Sequence, residues 1–159
     1  MIVVITIECV REWLRQYPGL KGRLDVDFLG EKAEQYSVDT IPCEEILKRY
    51  RDGSTLKQFQ FAVSSRKEYE QNIKQNVSNL KFFEDLTAWV EAKAEARELP
   101  TMDGNRIAQK IIVTSTAYPF TVSENGKARY QIQMRLEYFQ KKECNTNEAF
   151  RTYGKSYSE

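Results

Sequence analysis

The chain contains no histidine among its 159 residues, and that absence removes more candidate chemistry than any motif supplies. Histidine is the commonest general base near neutral pH and the commonest protein metal ligand. Ser-His and Cys-His nucleophile pairs and histidine-ligated metal centres are therefore excluded. Glycine is scarce, seven in all, and none belongs to the phosphate-cradling runs of P-loop or dinucleotide sites. The three cysteines, Cys9, Cys43 and Cys144, are odd in number and far apart, without metal-ligand or redox spacing, and read as reduced thiols in a cytosolic setting. Cys43 follows Pro42 but has no base nearby, so it reads as a small apolar residue rather than a nucleophile.

An excess of one charge is missing too. Lysine and arginine number 24 against 23 acidic residues, a net charge of +1, so bulk electrostatics gives no reason to expect nucleic acid or anionic lipid as a partner. Residues 1–7 are apolar, but Glu8 interrupts them and no basic segment precedes them, unlike a secretion signal. No other apolar run approaches the roughly 18 residues a membrane span requires. These absences together predict a soluble protein that is not an enzyme and holds neither metal nor cofactor.

What the chain does have is a strong β pattern near its carboxyl end. Asn125-Gly126 lies between two β-rich runs within residues 107–140, and that dipeptide suits a two-residue turn with positive φ at both centres. The second run alternates without a fault: Tyr130, Ile132, Met134, Leu136 and Tyr138 share one face, with Arg129, Gln131, Gln133, Arg135 and Glu137 on the other. With Asn125-Gly126 as the whole loop, Glu124 pairs with Lys127, Thr121 with Tyr130, Ala117 with Met134, Ser115 with Leu136 and Val113 with Tyr138. Small residues then oppose large ones, which leaves room for a covering helix. The other face carries Thr116, Tyr118 and Phe120 beside Gln131, Gln133 and Arg135. Pro119 cannot donate to a ladder, so the tip from Pro119 to Arg129 is expected at an edge or beyond the sheet.

Taken in order, the chain begins with Val3, Ile7, Val10, Leu14 and Tyr17 at helical spacing, a helix to about Gln16 closed by Pro18-Gly19. The β-branched first six residues also allow a strand there. Arg23 to Leu29 alternates as a half-buried strand with Asp25 and Asp27 facing out. Paired carboxylates serve acid/base and metal chemistry, yet two aspartates on the wet side of a strand ordinarily only solubilise, and no third acid stands near. Tyr36 to Ile41 forms another strand. Ile46 to Arg51, Asp52-Gly53 and Leu56 to Val63 read as a second hairpin, with a short helix after Pro42 as the alternative for the first arm. Ser65 and Glu68 make a capping box that starts a long helix, from about Arg66 to Arg97 and stopped before Pro100. Its apolar residues cover a wide arc: Ile73, Val77 and Leu80 on one side, Phe82, Leu86 and Trp89 nearly opposite, Phe83 and Val90 between. Burial on two sides is expected, by the sheet and by the amino-terminal helix or a neighbouring subunit. The fold class is thus α+β: an antiparallel or mixed sheet of two hairpins and short strands, covered by one long helix and an amino-terminal helix. Residues 1–141 form a single domain, and the polar residues 142–159 a flexible tail.

Arg129 and Arg135 with Tyr118, Tyr130 and Phe139 suggest a nucleic-acid-binding sheet face. That reading is weakened because Tyr130 shares its side with Ile132 and Leu136 and so belongs to the core.

A set of short segments also carries a resemblance. These are YSVD at 36–39, PC at 42–43, YRDG at 50–53, QFQF at 58–61, SR at 65–66, NLKFFEDLTAWVE at 79–91 and ARYQIQMRLEYF at 128–139. In this order they resemble the minor capsid, or tail terminator, proteins of long-tailed phages and prophages of Gram-positive bacteria, over residues 13–140. The resemblance implies a structural virion protein, typically a hexameric ring that caps the tail tube and joins the tail to the head. Its implied partners are further copies of itself, the tail tube protein and a head-completion or connector protein, with neither membrane nor specific nucleic acid. The implied location is the tail–head junction of the virion, and the host cytoplasm during assembly. No family site maps onto residues 145–159. The face bearing Thr116, Tyr118, Phe120, Gln131, Gln133 and Arg135 is the candidate subunit interface, because exposed aromatics beside arginine are favoured at interface centres.

Overall fold

A computed structural model describes residues 5–20, 24–27, 35–68, 73–122 and 127–142. Its spine is a pair of fourteen-residue strands, β4 (Thr55–Glu68) and β7 (Lys127–Gln140). They run antiparallel in unbroken register from Thr55 opposite Gln140 to Glu68 opposite Lys127. The free edge of β4 is shared by β3 (Ile46–Arg49) and β2 (Gln35–Ile41), and the two-residue β1 (Asp25–Val26) joins β2 in parallel. The free edge of β7 is shared by β5 (Arg106–Val113) and β6 (Tyr118–Val122). The result is a mixed seven-stranded sheet with two helices, α1 (Thr6–Leu14) and α2 (Ile73–Glu95), an α+β fold.

The alternation of β7 fixes which face is inner. Tyr130, Ile132, Met134, Leu136 and Tyr138 are all buried, and β4 sets Phe61 and Val63 beside them. α2 lies on this face through Phe83, Leu86 and Val90, each fully buried. Burying a side chain of that size contributes roughly 1.5–3 kcal/mol, so this underside, rather than any exposed ion pair, anchors the helix. α1 and the bend after it flank α2 through aromatic contacts: Trp13 of α1 meets Trp89 at 5.0 Å and Tyr17 of the bend meets Phe82 at 6.0 Å. Trp13 Nε1 also donates to the Glu98 carbonyl at 2.7 Å, tying α1 to the segment after α2. Two sides of α2 are therefore covered, by the sheet and by α1. The third apolar side is not: Val77 is 59% and Leu80 38% exposed.

The β3–β4 hairpin forms as its sequence predicts, with strand rather than helix in its first arm. Its turn is wider than two residues: Tyr50 N–H donates to the Ser54 carbonyl, and the Asp52 carboxylate accepts from Ser54 N–H at 2.9 Å. Gly53 stands at φ +90°, a conformation that favours glycine.

Three expectations are corrected. Ser65 and Glu68 do not cap a helix; β4 runs through both, and Ser65 is buried opposite Tyr130 and Tyr36. A small side chain between two large rings is what the core needs there, and tertiary packing overrides the local capping signature. Of the strand predicted over 23–29, the described residues 24–27 are extended in the sheet only at Asp25–Val26, and Asp27 turns to φ +50°. The carboxyl-terminal hairpin is not one continuous ladder. Its first arm breaks between β5 and β6 and carries two further register shifts; Val113 faces Met134 rather than Tyr138, and Thr121, one place out before the Phe120 bulge is reached, faces Arg129 rather than Tyr130. Asn125-Gly126, with the Glu124–Lys127 pairing, lies outside the described residues, as do the amino-terminal residues 1–4 and the tail from 143 onward.

α2 ends by its own geometry before Pro100 acts. Arg97 adopts a left-handed φ of +59°, and Glu98 N–H reaches back to the Lys93 carbonyl at 2.9 Å, satisfying a carbonyl that the last turn would leave open.

Candidate functional site

Both helices pack on the inner face, and the outer face of the sheet is polar. Its residues come from the alternate positions of each strand: Ser37 and Asp39 on β2, Gln58, Gln60 and Ser64 on β4, and Arg129, Gln131, Gln133, Arg135 and Glu137 on β7. Asp39 is the centre of one cluster. Its carboxylate accepts from Ser37 Oγ at 3.0 Å, Ser64 Oγ at 2.7 Å and Arg129 Nη2 at 2.8 Å, linking β2, β4 and β7. The clue to it in the sequence is the alternation of Ser37 and Asp39 with Tyr36 and Val38, read there only as strand pattern.

A second cluster contains half of the predicted interface. The Tyr118 hydroxyl accepts from Gln131 Nε2 at 2.7 Å and from Gln133 Nε2 at 3.3 Å. Arg135 shares the face and forms an ion pair with Glu137 at 3.3 Å. Thr116 is not in a strand: it is exposed in the link 114–117 between β5 and β6. That link stays tied to β7, since Thr114 N–H donates to the Gln133 carbonyl and Ser115 Oγ accepts from Gln133 N–H. Phe120 falls in the bulge between Pro119 and Thr121, and its side chain lies outside the described residues. Tyr118, Gln131, Gln133 and Arg135 are thus brought onto one face, with Thr116 at its margin.

The same link forms one wall of a groove of about 550 Å³ beside α2. Phe83, Ala88, Val113 and Ala117 supply apolar lining, and Leu80, Glu84 and Glu91 come from the third side of the helix. Sequence reading did not find it, because it arises from the break in the β5–β6 arm.

The residues weighed for chemistry are not assembled into a reactive site. Asp27 directs its carboxylate to Thr40, accepting from the backbone N–H at 2.7 Å and from the hydroxyl at 3.3 Å, so it fastens the end of β1 to β2. Among the described residues no three acidic or cysteine side chains converge as metal ligands. Cys43 is exposed at a hollow of about 380 Å³ that Thr6, Glu45, Gln58 and Tyr138 also line. Cys9 is buried, and burial pushes its thiol above the ordinary value despite the nearby Arg106 guanidinium. Burial likewise raises the Tyr138 phenol.

No protein-family model matches the chain, and no curated protein matches it in sequence. No described helix is long and apolar enough to cross a membrane.

Proposed function

We propose that this protein is a structural subunit of a phage tail: a tail terminator whose copies form a ring that caps the tail tube and meets the head connector. The observation that carries this reading is the sequence resemblance over residues 13–140, and the ordered outer face is consistent with it. A broad sheet face set with Gln, Arg and Tyr side chains in fixed hydrogen bonds offers a preorganised protein-contact surface. The candidate partners are a second copy, the tail tube protein and a head-completion protein.

The nucleic-acid alternative is less well supported. Arg129 is engaged by Asp39 and Arg135 by Glu137, which neutralises the arginines that would meet phosphate. Tyr130 is buried, so it offers no base a stacking surface. Electron microscopy of the protein mixed with its tail tube subunits tests the leading reading: tubes of fixed length bearing a terminal ring are expected. Tube lengths unchanged by the protein would refute it.

A further inference from the structure

We propose that the groove between α2 and the β5–β6 link receives the β3–β4 hairpin of a second copy of this chain. The inference rests on the ring reading above and names the contact by which the ring would propagate.

The groove is an apolar slot with an acidic rim. Phe83, Val113 and Ala117 line it, Leu80 stands partly exposed at its mouth, and its charged lining residues, Glu84 and Glu91, are both acidic. It lies along the apolar side of α2 that neither the sheet nor α1 covers.

The hairpin has the complementary character. The register shift between Ile46 and Lys48 leaves Leu47 unpaired, and Leu47 is 45% exposed; a bulge of this kind re-aims a side chain out of the ladder. Tyr50 is 38% exposed, but its ring is held by Phe139 at 5.8 Å and by Lys48 Nζ at 5.1 Å. A projecting tyrosine already fixed in place loses little freedom on docking and is a favoured interface anchor. Lys48, Arg49 and Arg51 surround it, all exposed. The one acid of the turn, Asp52, is occupied with Ser54 N–H. An apolar and aromatic knob in a basic collar therefore faces an apolar slot in an acidic rim.

Knob and slot of one molecule cannot meet. Val113 lies opposite Met134, and Thr55 opposite Gln140, a separation along β7 of roughly 20 Å at the rise of an antiparallel strand. β4 and β7 also stand between β3 and β5. Each copy thus carries one of each at distant positions, the requirement for a head-to-tail contact that closes into a ring when the rotation allows.

The test is reciprocal charge reversal on the full chain, read by light scattering and by ring formation on tubes. Glu84→Lys with Glu91→Lys reverses the slot, and Arg49→Glu with Arg51→Glu reverses the knob. All four residues are exposed, and unchanged thermal melts check that each variant folds. Either reversal alone should weaken self-association at least about tenfold, since it sets like charges together. Mixing the two reversed chains, or combining all four changes in one chain, should restore assembly. Reversals that assemble like the wild type, or a mixture that fails to rescue, would overturn the knob-in-slot contact while leaving a wild type that caps tubes as a ring protein. A wild type that stays monomeric at every concentration and leaves tube length unchanged would overturn the contact and the ring reading together.

Discussion

Asp39 of β2 and Arg129 of β7 are bound together across β4, with Oδ2 accepting from Nη2 at 2.8 Å. Ser64 of the intervening strand donates to the same oxygen, and Ser37 to the other. Both serines are fully buried although no helix covers this face. One carboxylate thus fastens three strands side to side, on the face where apolar packing contributes least.

Removing that carboxylate strands its donors. Asp39→Ala leaves two buried hydroxyls and a half-buried guanidinium without their acceptor, and the expected loss is about 1–3 kcal/mol. Urea unfolding should show a lower midpoint with an unchanged slope. Arg129→Ala in the Asp39→Ala background should cost much less than it does alone, because the two residues act as one unit.

The sequence made the element types legible wherever the pattern was long. The alternation from Arg129 to Tyr138 identifies the central strand and its buried face, and the apolar arc of α2 is right for Phe82, Phe83, Leu86, Trp89 and Val90, which meet the sheet or the α1 side, but wrong for Val77 and Leu80, expected under cover and found exposed. Two kinds of feature escaped. Ser65 with Glu68 is a sound local signal for a helix start, but the choice between helix and strand there was made by Tyr36 and Tyr130, far off in sequence. Register in the last hairpin was counted outward from a turn, so each bulge added an error that nothing local reveals. The four-residue slip at Val113 keeps that residue on its expected face, whereas Thr121 is one place out, an offset already present at Val122 opposite Ala128; the bulge at Phe120 adds a second place and returns Tyr118 to the face of Gln131. The candidate interface was legible in part for the same reason: Gln131, Gln133 and Arg135 lie on the regular strand, while Thr116 lies on its broken partner.

Thiol reactivity should separate the two described cysteines. Cys43 is exposed and Cys9 buried, with its ionisation held back by burial, and the thiolate is the reactive form. In a Cys144→Ser background, iodoacetamide at pH 8 should alkylate Cys43 in the folded protein and reach Cys9 only after unfolding. Peptide mass spectrometry distinguishes the two, and equal labelling in the native state would contradict the burial of Cys9 on the inner side of α1.

Stability should be insensitive to pH near neutrality and fall in alkali. With no histidine, no imidazole titrates between about pH 6 and 8. Burial raises the Tyr138 and Tyr17 phenols in the fold. A raised folded pKa means that the neutral form is favoured by folding. The contribution is fully present below the unfolded value of about 10 and is lost as pH rises through the higher folded value. Thermal melts should therefore decline above about pH 9 to 10, with Cys9 adding to the early part of the fall. Tyr138→Phe should flatten the decline by removing one of these ionisations, and an unaltered profile would place the alkaline sensitivity elsewhere.

The outer-face interface has its own test, independent of the groove. Tyr118→Ala removes the hydroxyl shared by Gln131 and Gln133, and Arg135→Glu breaks the pair with Glu137 and places a second carboxylate beside it. All these residues are half-buried on a wet face, so water replaces the lost partners and the combined cost should be about 1–2 kcal/mol, well short of unfolding. If this face packs against a neighbouring subunit, the same pair of changes puts a hole and a reversed charge at the contact, and rings on tails should disappear while the melt stays nearly intact. Thr116 belongs to the margin of this face and to the groove wall alike, so Thr116→Arg should impair assembly whichever surface dominates. A Tyr118→Ala, Arg135→Glu protein that caps tubes normally would show that the outer face points away from its neighbours, and leave the groove as the sole candidate for the subunit contact.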